Sequence, residues 1–131
     1  MYHENIIDFK IIFFSMHNFR KLTIWQNAMI IAKEVYATTA TFPKEEKYGL
    51  VSQINRCSVS VPSNIAEGSS RSSNKEFAHF IKISIGSLFE LETQLTLSNK
   101  FGIINSEVLS DLMLKIVALQ RMLLRFMKTL D

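Results

Sequence analysis

The sequence predicts an all-α fold, an antiparallel up-down-up-down bundle of four helices. Three observations predict it. Apolar residues return at alternating spacings of three and four in successive blocks, the period of one helix face. The chain of 131 residues holds 4 Gly and 2 Pro, too few for the turns of an all-β design. Short polar breaks part the blocks, and short connections make successive helices antiparallel neighbours. Hydrophobic residues at 47% can fill a sizeable core, and the length suits one domain.

Residues 1–15 stand apart, with a cluster of Ile and Phe but no clear helical period. Met16 follows, and the patterned domain begins at once. The expected division is an N-terminal arm over 1–15 and a bundle domain over 16–131, with Met16 the natural start or the arm loosely attached.

The first helix is expected over 21–41. Leu22, Trp25, Met29, Ala32, Tyr36 and Thr39 form one stripe; Ile24, Ala28, Ile31, Val35 and Phe42 form a second beside it. Phe42-Pro43 ends it, because the residue before proline avoids the α region. Pro43 then suits the first turn of the next helix, with Glu45 and Glu46 at its positive end. That second helix is expected over 44–67 on Leu50, Ile54, Cys57, Val61 and Ile65. Ser58-Val59-Ser60-Val61 alternates like a strand, but a lone strand has no partner, so the segment reads as a helix kinked near Pro62. Gly68 is the expected stop.

Ser73-Asn74-Lys75-Glu76 opens the third helix as a capping box. Phe77, Ile81, Ser84, Leu88, Leu91 and Leu95 carry it to Phe101-Gly102. Ser84, Gly86 and Ser87 make a narrow waist where a neighbouring helix can come close, and Gly86 costs about 1 kcal/mol of helix propensity. Asn105 or Ser106 caps the fourth helix. Leu109, Leu112, Ile116, Leu119, Leu123, Phe126 and Leu130 form its main stripe, with Met113, Val117, Leu124 and Met127 beside it. A monomeric bundle needs one stripe per helix, so the doubled stripes on the first and fourth predict a homo-oligomer.

Little catalytic chemistry is written here. A single E-x-x-H, Glu76 to His79, lacks the second copy a di-metal site needs and is better explained by capping. Glu90 and Glu92, two apart, point to different faces and make no acid/base pair. There is no Gly-rich phosphate loop, no G-x-S-x-G and no metal-binding cysteine set. The one cysteine, Cys57, reads as a buried structural thiol and fits a reducing compartment. No cofactor or metal is expected. No run approaches the ~18 apolar residues of a membrane span, and the expected location is cytoplasmic, with no membrane partner.

Two polar patterns remain. On the second helix Gln53, Arg56, Ser60, Asn64 and Glu67 share one face, either a solvated surface or a hydrogen-bonded network that fixes helix register. On the fourth, Arg121, Arg125 and Lys128 share a face, either compensating the helix dipole or contacting phosphates. Arg20, Lys21 and Arg71 add to the second pattern if the fold brings them to the same rim. The net charge of +3 permits an acidic partner such as RNA or DNA without demanding one.

Several runs resemble a known family. They are Phe19-Arg20-Lys21-Leu22 with Trp25-Gln26, residues 42–50 followed by Ser52-Gln53-Ile54-Asn55-Arg56, Ser60-Val61-Pro62-Ser63-Asn64-Ile65-Ala66-Glu67-Gly68, and residues 86–95. They resemble the four-helix bundle proteins encoded in 23S rRNA intervening sequences, over 16–130. The resemblance implies a homopentamer of antiparallel bundles with no catalytic residues. A related branch is the accessory protein of diversity-generating retroelements, a basic pentameric barrel that works with a reverse transcriptase and nucleic acid. Two functions follow as expectations: a non-enzymatic nucleic-acid-binding accessory protein without sequence preference, or a protein-binding scaffold or passenger with no nucleic-acid role.

Overall fold

The computed structural model describes residues 18–131, and the arm expected over 1–15, with the division at Met16, lies outside them. Four α-helices follow one another: α1 (Thr23–Thr39), α2 (Leu50–Ser69), α3 (Asn74–Lys100) and α4 (Ser106–Lys128). Short 3-10 turns, Phe19–Lys21 and Lys44–Glu46, precede α1 and α2. There is no strand among the described residues.

Each helix packs on the next, α4 returns to α1, and the diagonals make no backbone approach. The pairs run antiparallel. Ser60 meets Ser87 while Gly68 lies against Phe77. Asn99 reaches Ser106 while Phe77 stacks edge-on with Phe126 at 5.4 Å. Asn27 bonds Met122, and Glu34 pairs with Lys115. The core is the stripe set of the four helices, including Ile31, Val35, Ile54, Ile65, Phe77, Leu88, Leu95, Ile116 and Leu123.

Helix ends correct several expectations. The second helix begins at Leu50, not residue 44, because Pro43 and the two glutamates form a separate 3-10 turn and Gly49 (φ −107°, ψ −101°) breaks the backbone before α2. α2 runs without interruption through Pro62. Gly68 is not its stop. It lies inside α2 at the crossing with α3, where a Cβ would stand 2.7 Å from Phe80 Cβ. Half of the capping box forms: Ser73 Oγ accepts from the Glu76 amide at 3.1 Å, while Glu76 Oε2 accepts from Ser72 Oγ. The waist is made by Ser84 and Ser87 without Gly86. Ser84 Oγ donates to the Val61 carbonyl at 2.9 Å, whereas Gly86 is exposed with no atom near its missing Cβ. Gly102, at φ +78°, ends α3, with its amide on the Asn99 carbonyl and the Ile103 amide on that of Ser98. This 5→2 and 6→1 pairing is a Schellman stop, and it needs the left-handed residue.

Candidate nucleic-acid interface

The antiparallel packing gathers the starts of α1 and α3 with the ends of α2 and α4 at one end of the bundle. Divided at the helix midpoints, the half made of residues 18–31, 60–87 and 117–131 holds eight Lys/Arg and three Asp/Glu, a net charge of +5. The other half, 32–59 and 88–116, holds six and seven, a net −1. The cations of the first half are all exposed.

Within that half the basic residues fall into two groups. On the α1–α4 side, Lys21 and Arg125 line one shallow depression with Leu22, Met122, Phe126 and Thr129. Arg121 and Lys128 continue the same strip of α4, and Arg20 lies beside Lys21 with its guanidinium 4.4 Å from the Phe19 ring centre. On the α2–α3 side, Arg71 stacks over Phe80 at 4.6 Å and stands 3.7 Å from Glu67. Lys75, His79 and Lys82 border the same depression as Arg71. The fold therefore brings Lys21, Arg121, Arg125 and Lys128 to one side and places Arg71 on the opposite one, while Arg20 lies over Phe19, whose ring meets Trp25 of the α1–α2 groove. Glu67 and Glu76 temper the second group, whereas among the described residues of this half the one acid besides them is Asp131.

Lys75, His79 and Lys82 belong to neither basic pattern drawn from the sequence, where Lys75 and His79 stand only in the capping box and the E-x-x-H. Their spacing of four and three marks one helical face and was readable. What could not be read was that Arg71 turns back onto that face.

Dipole compensation explains only part of the charge. Arg125 and Lys128 sit in the last turn of α4, where cations are favoured. Lys21 and Lys75 sit at the starts of α1 and α3, where they are disfavoured. Two helix starts and two helix ends meet here, so the dipoles largely cancel and leave the excess unaccounted for.

The α2–α3 seam holds the polar line. Ser60 and Ser87 share a hydrogen bond at 2.8 Å, and Asn64 Nδ2 donates to the Ser60 carbonyl at 2.8 Å. Gln53 and Arg56 are exposed, and Glu67 pairs with Arg71. Of the five residues on that face, the structure brings together Ser60 and Asn64. Cys57 is buried there, its Sγ donating to the Ser87 carbonyl at 2.9 Å. Burial, with the Glu90 carboxylate nearby, pushes its thiol up to about 12. A thiol held neutral is a poor nucleophile. Glu90 and Glu92 do face apart: Glu92 accepts from Gln120 of α4 at 2.9 Å, and Glu90 lies toward Cys57. Among the described residues no three His, Cys, Asp or Glu side chains gather where they could hold a metal, and no helix is long and apolar enough to cross a membrane.

Fold and surface together define a four-helix bundle with a cation-rich end. The family model for the 23S rRNA-intervening sequence protein matches residues 20–125, and the chain belongs to that family. The fold is shared with a crystal structure of a protein of unknown function from the S23 ribosomal protein family of Bacteroides thetaiotaomicron, with a TM-score of 0.73 at 18% identity, over 81% of this chain and 99% of that one. No curated protein matches the chain.

Proposed function

We propose that this protein is a non-enzymatic, self-assembling accessory protein that holds the phosphate backbone of RNA or DNA on the basic half of its bundle without reading sequence. The segregation of charge carries this reading: a net +5 against −1 along one small domain. Fixed cations on a folded rim meet phosphates at little entropic cost, and each contact releases counterions from the nucleic acid. The α1–α4 strip, Lys21, Arg121, Arg125 and Lys128, is the principal contact surface, with Arg20 at its margin.

One copy offers about four phosphate contacts, and assembly multiplies them because every copy repeats the strip. Exposed apolar side chains on opposite sides of the bundle support assembly, and the family resemblance supplies five as the number of copies. Band-shift titrations of RNA and DNA of unrelated sequence test the reading. Four contacts predict an affinity loss of roughly 50- to 150-fold between about 50 and 200 mM salt, alike for all sequences. No shift at about 50 mM salt overturns it and leaves the protein-binding scaffold as the better account.

A further inference from the structure

Charge alone gives the α2–α3 side little hold on a polyanion. Arg71, Lys75 and Lys82 stand beside two carboxylates, Glu67 and Glu76. What this side has in addition is flat surface. Arg71, Lys75, His79, Phe80 and Lys82 line one open depression of about 720 Å³, within the range of small-molecule sites.

The sequence builds a stack here from below. Gly68 lacks the Cβ that would meet Phe80 Cβ at 2.7 Å, so α3 brings Phe80 hard against α2. α2 ends at the next residue, Ser69, and the Arg71 amide bonds back to the Gly68 carbonyl at 3.1 Å, which folds the chain over. The Arg71 guanidinium then lies 4.6 Å from the Phe80 ring centre, with Glu67 3.7 Å away at one edge. Its side chain remains 42% exposed. A guanidinium held on one face by a ring and at one edge by a carboxylate offers its other face to a second flat group. His79 stands edge-on to Phe80 at 5.7 Å and is exposed as well. Lys75 and Lys82 are seven residues apart on α3, about 10 Å along its axis, or roughly three phosphate spacings of a stacked strand.

Resting on the reading that the basic half holds phosphates, we infer that the α2–α3 depression is a single-strand site: an unpaired base of RNA or DNA stacks on the open face of Arg71, and Lys75 and Lys82 take the flanking phosphates. Stacking selects nucleic acid over other polyanions, and it selects an unpaired base over a duplex, whose bases are already stacked on both faces. It tolerates any sequence because every base has a π-face. The ring in the α1–α4 depression, Phe126, is already engaged edge-on with Phe77. That strip holds any polyanion, and the α2–α3 depression adds a preference for strands with free bases. Arg20 over Phe19 is a second Arg–ring pair at this end of the bundle, but its ring is taken edge-on by Trp25.

Two labelled strands of equal length test this, an oligothymidylate and an abasic oligodeoxynucleotide, which carry the same phosphates and differ in their bases. Fluorescence anisotropy with the full chain at about 50 mM salt reads both affinities. The parent is expected to bind the thymidylate strand at least about 5-fold tighter. Arg71→Lys keeps the charge and loses the planar fork. It is expected to bring thymidylate binding down to the abasic level and to leave abasic binding unchanged. Phe80→Leu, with folding checked by circular dichroism, is expected to do the same; if it unfolds, the exposed Arg71→Lys decides alone. Arg20→Lys, the same change at the Phe19 pair, is expected to keep the preference. Equal affinity of the parent for the two strands overturns the single-strand site and leaves the phosphate reading standing. So does a preference that survives Arg71→Lys or is lost in Arg20→Lys. No binding of either strand removes the phosphate reading and this inference together.

Discussion

Replacing glycine with alanine at two helical positions should change stability in opposite directions. A Cβ on Gly68 would meet Phe80 Cβ at 2.7 Å and Phe77 Cδ1 at 2.9 Å. Phe80 Cβ is tied to the α3 backbone and cannot swing away, so α2 and α3 must part where they pack most closely. Overpacking of this kind costs about 1–3 kcal/mol. Alanine returns roughly 0.5–1 kcal/mol through helix propensity and a less free unfolded chain. The net expectation for Gly68→Ala is a loss of up to about 2.5 kcal/mol, centred near 1 kcal/mol. Gly86 is also helical, but nothing lies within 4 Å of its missing Cβ, so only the gain remains and Gly86→Ala should stabilise by about 0.5–1 kcal/mol. Urea unfolding followed by circular dichroism reads both as shifts of midpoint at constant slope. A Gly68→Ala that stabilises as Gly86→Ala does would refute the close approach and restore glycine as a mere helix stop.

Other outcomes follow from the α2–α3 seam. Asn64→Leu removes two hydrogen bonds to Ser60 and should cost about 1 kcal/mol. Glu67→Leu breaks an exposed pair at 3.7 Å and should cost little more than Lys33→Ala; equal losses at Asn64 and Glu67 would contradict this. The Cys57 thiol should resist thiol reagents near pH 8 until the protein unfolds, and labelling as fast as free cysteine would refute its burial. Its pKa stands near 12 against 9.0 for the free thiol, so above pH 9 the unfolded chain sheds a proton that the native state keeps. This group's contribution to stability is whole below pH 9 and is lost as pH rises toward 12, which a Cys57→Ala variant should blunt in alkaline urea titrations.

The helices were legible because burial imposes a period of 3.6 on residues such as Ile54, Cys57, Val61 and Ile65. The start of α2 was not. Proline followed by two glutamates is a valid first turn for either a 3-10 turn or an α-helix, and only the backbone at Gly49 decides between them. Gly68 misled for a related reason. Glycine serves equally as a helix stop and as a gap for a neighbour, and Phe77 and Phe80, which fill the gap, belong to the next helix. The basic half was legible only in fragments. Lys21, Arg71 and Arg125 are far apart in sequence, and the antiparallel packing decides that they share an end and that Arg71 takes the other side of it.

Charge reversal at each end of the bundle tests the central claim most directly. Arg121→Glu with Arg125→Glu changes the basic half, and Lys44→Glu with Lys47→Glu makes the same change in net charge at the opposite end. All four positions are exposed, so helicity should be unchanged. In band shifts at about 50 mM salt, the first pair should lose most RNA and DNA binding across all sequences alike, with a shallower salt slope. The second should bind nearly as the parent does. Equal losses at the two ends would show that net charge alone matters, and an unaffected first pair would contradict the assignment of the basic half as the contact surface.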